Sequence, residues 1–160
     1  MSKMKIAIIG CGTIANSAHI PAYMANQDVE IKYFCDIIKS KADAAVEKYG
    51  CGTAVEDYHD ILNDPEIEAV SVCTPNKMHS TITIDFLRAG KHVLCEKPSA
   101  RTLAEAKEMQ AAQHETGKVL NIGVVNRFNN AVNKIKEIIA NGILGEVYHV
   151  YISFRQPRCI

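Results

Sequence analysis

Short, near-continuous apolar runs alternate along this chain with longer segments whose apolar residues recur at helical spacing, and that alternation leaves few folds open. The runs occupy residues 5–9, 31–35, 69–73, 92–95 and 119–124, with a shorter sixth candidate at 53–55. Strands that are apolar on both sides must be covered on both sides, which is the condition of a parallel sheet between helices. The expected fold class is therefore α/β, a doubly wound parallel sheet. Local signals mark the helices in between. Ser40 with Asp43 and Thr102 with Glu105 have capping-box spacing, and Gly50, Gly90 and Gly117 stand where helices should stop. Pro21 interrupts the first helical segment and predicts a kink or break near His19.

Further along, Ala131, Val132, Ile135, Ile138 and Ile139 share one face of an amphipathic helix over 131–140, closed by Asn141 and Gly142. Residues 146–154 then change pattern. Tyr148, Val150, Ile152 and Phe154 alternate with His149, Tyr151 and Ser153, as in a half-buried strand of an antiparallel sheet. The expected division is the α/β domain over 1–125, followed over 126–160 by a connecting helix and the first strand of a second domain whose remainder is missing.

At 160 residues the chain suffices for one domain with a real core. Eighteen basic and eighteen acidic residues cancel, so no electrostatic footprint points to nucleic acid or an anionic membrane, and a small neutral partner is expected. Six cysteines (11, 35, 51, 73, 95 and 159) form no C-x-x-C pair and have no histidine at metal-ligand spacing. They read as buried, reduced thiols of a cytoplasmic protein without a metal site. The N-terminal lead into "MKIAIIG" is too short for a signal sequence or a membrane span.

The chemistry sits at the ends of the apolar runs. "GCGTIA", Gly10 to Ala15, follows the first run and opens a helix, matching G-x-G-x-x-A. Gly10 permits the tight turn, Gly12 lets the backbone approach a pyrophosphate, and Ala15 lets the helix lie close to the strand. Amides at the helix start would face the phosphates. The alternative is an ordinary glycine-rich turn. Asp36 ends the second run, twenty-six residues after Gly10, where a carboxylate can accept the ribose hydroxyls of an adenosine and repel a 2′-phosphate. That favours NAD over NADP, although Lys39 and Lys41, flanking Ser40, could offset the repulsion. The alternative role for Asp36 is a turn cap.

In "SVCTPNKMHS" a strand ends at Cys73, Pro75 stops it, and Asn76 is a candidate N-cap. His79 falls in the first turn after it, where the helix dipole disfavours an imidazolium; a core-satisfied ring and a ligand contact are both open. In "HVLCEKPSA" the run ends and Glu96, Lys97 and Pro98 follow. A lysine there, tuned by burial and by the positive charge of an oxidised nicotinamide, could take the proton of an alcohol as hydride leaves. Glu96 would oppose that tuning if it pairs with Lys97. The alternative is a lysine snorkelling from a strand end.

Together "AIIGCGTIA", "CTPNKMHS", "CEKPSA" and "NRFNNAVNKIKEIIANGILGEV" resemble the successive blocks of the glucose–fructose oxidoreductase and inositol dehydrogenase family, Gfo/Idh/MocA, over the whole chain. The resemblance implies a Rossmann fold, a catalytic role for Lys97 and cofactor contacts from Gly10, Cys11, Gly12, Thr13, Ile14, Asp36, Thr74, Pro75, Asn76, His79, Glu96, Asn126 and Arg127. It implies an NAD(P)-dependent dehydrogenase acting on a hydroxyl of a sugar, polyol or related compound. Family members normally continue into a second domain that binds substrate and supplies an Asp and a His, so the chain reads as a truncated piece, inactive by itself. A homo-oligomer is expected, by strand pairing between copies at 146–154 or by a dimer buried over Tyr148, Val150, Ile152 and Phe154. The alternative function is a non-catalytic NAD(P)-binding sensor or scaffold.

Overall fold

The apolar runs become six strands: β1 (Met4–Ile9), β2 (Val29–Cys35), β3 (Thr53–Val55), β4 (Ala69–Val72), β5 (His92–Cys95) and β6 (Leu120–Ile122). All pair in parallel, in the order β3-β2-β1-β4-β5-β6. Strand order therefore reverses between β1 and β4, the point at which doubly wound sheets open a crevice for dinucleotides. The computed structural model describes residues 2–153, in two compact units, one ending at Gly123 and the other beginning at Val124.

Alternation within one strand explains why the runs are apolar throughout. Ile6 and Ile8 of β1 pack on one side with Ile20, Ile31 and Phe34, while Ala7 and Ile9 pack on the other with Val70, Val72 and Phe86. Each fully buried side chain of this size contributes roughly 1.5–3 kcal/mol, so a polar residue on either face would cost a sizeable part of the fold's margin. The covering helices are α1 (Ile20–Ala25), α2 (Lys39–Tyr49), the short α3 (His59–Leu62), α4 (His79–Arg88) and α5 (Leu103–Thr116). Four of the five described cysteines, Cys11, Cys35, Cys73 and Cys95, are buried and unpaired. No described helix is long and apolar enough to cross a membrane.

The capping signals divide. Thr102 Oγ1 accepts from Glu105 N at 3.2 Å and starts α5, and Gly50 and Gly117 close α2 and α5 in the left-handed conformation. Ser40, by contrast, does not cap α2. That helix starts at Lys39, with Ile38 as its N-cap residue, because Asp36 Oδ1 accepts from Ile38 N at 2.9 Å and turns the chain before Ser40 is reached. Asn76 is not an N-cap either; it begins a 3-10 turn (Asn76–Met78) that leads into α4. Pro21 lies inside a continuous helical run over 13–25, and the turn before it is π-helical, Ala15–His19, with Ile20 N reaching back to Ala15 O, so the break expected near His19 takes the form of a widened turn rather than an end.

In the second unit, α6 (Asn130–Ala140) is the expected amphipathic helix, capped by Asn129 Oδ1, which accepts from Ala131 N and Val132 N. The strand expected at 146–154 is absent over 146–153; Phe154 lies outside the described residues. A strand is made by its partner's ladder, and the described residues offer none, so an alternating pattern alone leaves Tyr148 and Ile152 at 95% and 81% exposure.

Towards the amino end of the sheet, Lys32 Nζ bonds Asp64 Oδ2 at 2.5 Å, and Tyr33 donates its hydroxyl to the same oxygen at 2.8 Å. Lys32, reinforced by the Glu66 amide and Tyr33, holds the Asp64 carboxyl down at about 2, from an ordinary 3.8. A carboxylate depressed on folding stabilises above its unfolded pKa and stops doing so as pH falls through the folded value. Urea midpoints should therefore drop between about pH 4 and pH 2. Asp64→Asn should be less stable by roughly 1–2 kcal/mol at pH 7 and lack that part of the acid drop. Parallel pH profiles for the two proteins would refute the assignment.

Candidate functional site

Register places the site residues in one row. Val55, Cys35, Ile9, Val72, Cys95 and Ile122 lie side by side as the last residues of β3, β2, β1, β4, β5 and β6. The residues that follow, Glu56, Asp36, Gly10, Cys73, Glu96 and Gly123, therefore line the carboxyl edge of the sheet. The ladder is carried one step further by Gly10 N to Cys35 O (2.7 Å), Cys73 N to Ile9 O (2.7 Å) and Glu96 N to Val72 O (3.0 Å). Three strand spacings, about 14 Å, separate the Asp36 position from that of Glu96.

At the centre of the row Gly10 has φ +94°, and a Cβ on it would stand 2.8 Å from the carbonyl carbon and oxygen of Cys73. The turn after β1 and the loop after β4 touch backbone to backbone there, which only glycine allows. Around Gly12 the situation is opposite, with nothing within 4 Å of a built Cβ. Asn16 Nδ2 donates to the carbonyls of Cys11 (2.9 Å) and Gly12 (3.0 Å), and the Gly12 amide has no partner among the described residues. An open approach and a free amide at the start of a helical turn suit a phosphate. Thr13 and Ile14 stand exposed beside it. Cys11 contributes its backbone; its thiol is buried, donates weakly to Cys35 O, and is pushed up to about 12 by burial, with Asp36 adding to the effect.

Asp36 proves to be both a turn cap and part of the site. Its Oδ2 accepts from Cys11 N at 2.9 Å while Oδ1 holds Ile38 N, so the carboxylate is fixed between the glycine turn and its own loop with lone pairs to spare. A cleft of about 930 Å³ runs from Gly10 and Gly12 past Asp36 to Thr74 and Pro75. Its far wall includes Glu56, Asp57 and Asp60, three carboxylates that sequence reading did not single out. Of the basic residues, Lys39 pairs with Asp43 at 2.6 Å, while Lys41 and Lys77 line the cleft. Thr74 Oγ1 is buried with no hydrogen-bond partner. An open glycine turn, a fixed carboxylate and an unpartnered hydroxyl fit a dinucleotide.

His79 braces two loops at the site edge. It is 1% exposed, with Nδ1 at 2.7 Å from Pro98 O and Nε2 at 2.8 Å from Thr74 O, so the ring is wedged between carbonyls of the loop after β4 and the loop after β5, with a ring N–H donating there. Asn76 and Pro75 are exposed at the loop's tip. Glu96 is 7% exposed and does not pair with the Lys97 ammonium; Oε1 meets His19 Nε2 at 2.8 Å and Oε2 accepts the Lys97 amide at 3.1 Å. The Lys97–Pro98 peptide is cis. Lys97 is exposed and its Nζ has no ion-pair or hydrogen-bond partner among the described residues, so the burial expected around it is not supplied by them. Asn126 and Arg127 belong to the second unit, in a 3-10 turn over Val125–Phe128. Among the described residues no group of three His, Cys, Asp or Glu side chains is arranged to hold a metal.

Sequence reasoning missed His19 and Ser71, which hydrogen-bond to each other behind Glu96. A lone serine inside the apolar "AVSVC" was the signal available.

The strand order, the glycine turn and the carboxylate after β2 define a dinucleotide-binding domain of oxidoreductase type. Residues 4–124 match the model of the oxidoreductase family with an NAD-binding Rossmann fold, GFO_IDH_MocA, and the chain belongs to that family. It is 39% identical over 147 residues to D-glucoside 3-dehydrogenase of Escherichia coli, covering 92% of this chain and 42% of that protein. It is 34% identical over 152 residues to inositol 2-dehydrogenase of Salmonella typhimurium, covering 92% and 45%. Among solved structures, myo-inositol 2-dehydrogenase from Lactobacillus plantarum superposes with a TM-score of 0.84 at 25% identity, covering 91% and 43%. A 3-ketoreductase from Actinomadura kijaniata, in complex with NADP and TDP-benzene, gives 0.83 at 28% identity, covering 91% and 44%. The chain thus spans less than half the length of these relatives.

Proposed function

We propose that these residues form the cofactor-binding part of an NAD-dependent dehydrogenase that oxidises a hydroxyl of a sugar, a polyol or a related small molecule. The observation that carries this reading is the single row at the sheet edge: phosphate turn, ribose acceptor and lysine follow their strands in register. The bound nicotinamide supplies the hydride acceptor. The pyrophosphate rests on the Gly12 turn with Thr13 and Ile14, the adenosine ribose on Asp36, and the middle of the cofactor along Thr74, Pro75 and Asn76. Glu96 shapes the lysine end from behind. Neutral Lys97 Nζ takes the hydroxyl proton as the C–H bond gives up its hydride and the carbonyl forms. Support for Asn126 and Arg127 comes from the family resemblance alone. A cytoplasmic setting, where the buried thiols stay reduced, goes with this reading. An unpartnered lysine beside the crevice favours chemistry over a purely binding module.

The choice of NAD rests on charge. A 2′-phosphate would enter a cleft lined by the carboxylates of Asp36, Glu56, Asp57 and Asp60 against the two lysines Lys41 and Lys77. In fluorescence titrations NADH should bind about tenfold or more tightly than NADPH, roughly 1.4 kcal/mol or more. Asp36→Ala should weaken NADH and narrow that ratio. Equal affinities in the unaltered chain would reject the assignment.

A further inference from the structure

A buried polar chain crosses beneath the carboxyl edge of the sheet, and the reading above leaves two of its members without a role. His19, at the end of the π-helical segment, places Nε2 at 2.8 Å from Glu96 Oε1 and Nδ1 at 2.8 Å from Ser71 Oγ. The side chains of His19 and Glu96 are each 9% exposed and Ser71 is fully buried. An ionised Glu96 only accepts, so Nε2 carries the proton in this contact, and Ser71 fixes the other ring nitrogen. Gly123 borders the same oxygen, and a Cβ on it would lie 3.1 Å from Glu96 Oε1. The other titratable groups beside the chain are Tyr23, Cys73 and Cys95. Burial pushes all three up, Cys73 to about 12 and Cys95 to about 11, so these three are uncharged near neutral pH.

We infer that His19 is a positioning residue for Lys97: by holding the Glu96 carboxylate inward, it withholds the carboxylate next in sequence from the Lys97 ammonium. Glu96 and Lys97 are neighbours in sequence, and an opposite charge within about 4–6 Å stabilises an ammonium against proton loss. A lysine paired with Glu96 would stay charged and be a poor proton acceptor. Anchoring Oε1 on His19 and Oε2 on the Lys97 amide leaves the carboxylate both hydrogen-bonded and unavailable to Nζ. The arrangement also links the helix that carries the phosphate turn to the loop that carries the lysine, through Ser71 of β4. The inference rests on the proposed role of Lys97 but concerns its amine, which can be measured without turnover.

The test is the rate at which an N-hydroxysuccinimide ester acylates Lys97 at pH 8, followed by mass spectrometry with Lys107 and Lys136 as internal references. Only the neutral amine reacts, so freeing Glu96 should slow Lys97 selectively. In His19→Ala the Lys97 rate should fall about three- to tenfold while the references stay constant. His19→Gln, whose amide can still donate to Glu96, should recover to within about twofold of the unaltered chain. The double variant His19→Ala/Glu96→Gln should recover likewise, which loss of packing alone would not do. An unchanged Lys97 rate in His19→Ala, or a fall that persists in the double variant, overturns the inference. Should His19→Ala not fold, as judged by circular dichroism, Ser71→Ala decides: a selective fall of about twofold is expected, and no change overturns it. NADH titration of the unaltered chain is read separately; absence of binding would sink the proposed function and leave the labelling result standing.

Discussion

A Lys97→Met substitution is expected to lower turnover by about 10²–10⁴-fold while NADH affinity changes only a few-fold. The asymmetry follows from where the lysine stands. Its ammonium group has no partner among the described residues, and it is absent from the cleft that runs past Gly12, Asp36 and Thr74, so cofactor binding does not rest on it. Methionine keeps the length and most of the apolar stem, and removes the proton acceptor that acts as the C–H bond breaks. The 160 residues span less than half of their relatives, so turnover has to be measured on a polypeptide of the relatives' full length, with inositol and glucosides as first substrates. Steady-state rates and separate NADH titrations distinguish the outcomes. Turnover within a few-fold of the unaltered enzyme would remove Lys97 from the chemistry, and a parallel collapse of NADH binding would make it a cofactor ligand instead.

The two glycines of the phosphate turn should fail in different ways when each is changed to alanine. At Gly10 the added carbon meets the Cys73 carbonyl at 2.8 Å and the Thr74 amide nitrogen at 2.9 Å, with φ at +94°. Backbone cannot step aside as a side-chain tip can, so Gly10→Ala should lose about 3 kcal/mol or more and weaken the fold itself. Gly12→Ala has open space in this structure, and its thermal midpoint should stay within a few degrees of the unaltered chain. Its NADH affinity should nevertheless fall at least about tenfold, because the methyl group occupies the approach reserved for a phosphate. Melting curves and NADH titrations on both variants make the comparison. A Gly10→Ala chain of undiminished stability would contradict the close approach described here, and a Gly12→Ala chain that binds normally would move the pyrophosphate elsewhere.

The parallel sheet was legible because burial on both faces leaves no room for polar alternation, and β1 shows this residue by residue. Positions at the ends of those runs could be read for the same reason: Gly10, Asp36 and Glu96 are what comes next when an apolar run must stop. Direction was not legible. Nothing in "CEKPSA" says that the glutamate turns inward to a histidine more than seventy residues earlier, because that contact depends on the register of β1, β4 and β5 together. The same limit explains His79, whose place at a helix start is local information while its two carbonyl partners come from two different loops. Residues 146–153 fail in the opposite sense. Their alternation describes the surface a strand would need, and pairing requires a second strand that the described residues do not provide.

Cys11, Cys35, Cys73 and Cys95 have a practical consequence for anyone handling this chain. Burial pushes the first three to about 12 and Cys95 to about 11. At pH 8 the reactive thiolate is then on the order of 10⁻⁴ to 10⁻³ of each thiol, far below that of an exposed cysteine. Three of the four, Cys35, Cys73 and Cys95, lie at or just past strand ends beneath the cofactor row, and Cys11 lies within the phosphate turn. Iodoacetamide should therefore mark these positions only when the sheet edge opens, which makes the alkylation of the four a clock for local unfolding. Slower marking with NADH present would time how firmly the nucleotide keeps that edge closed, with no label added to the protein beforehand.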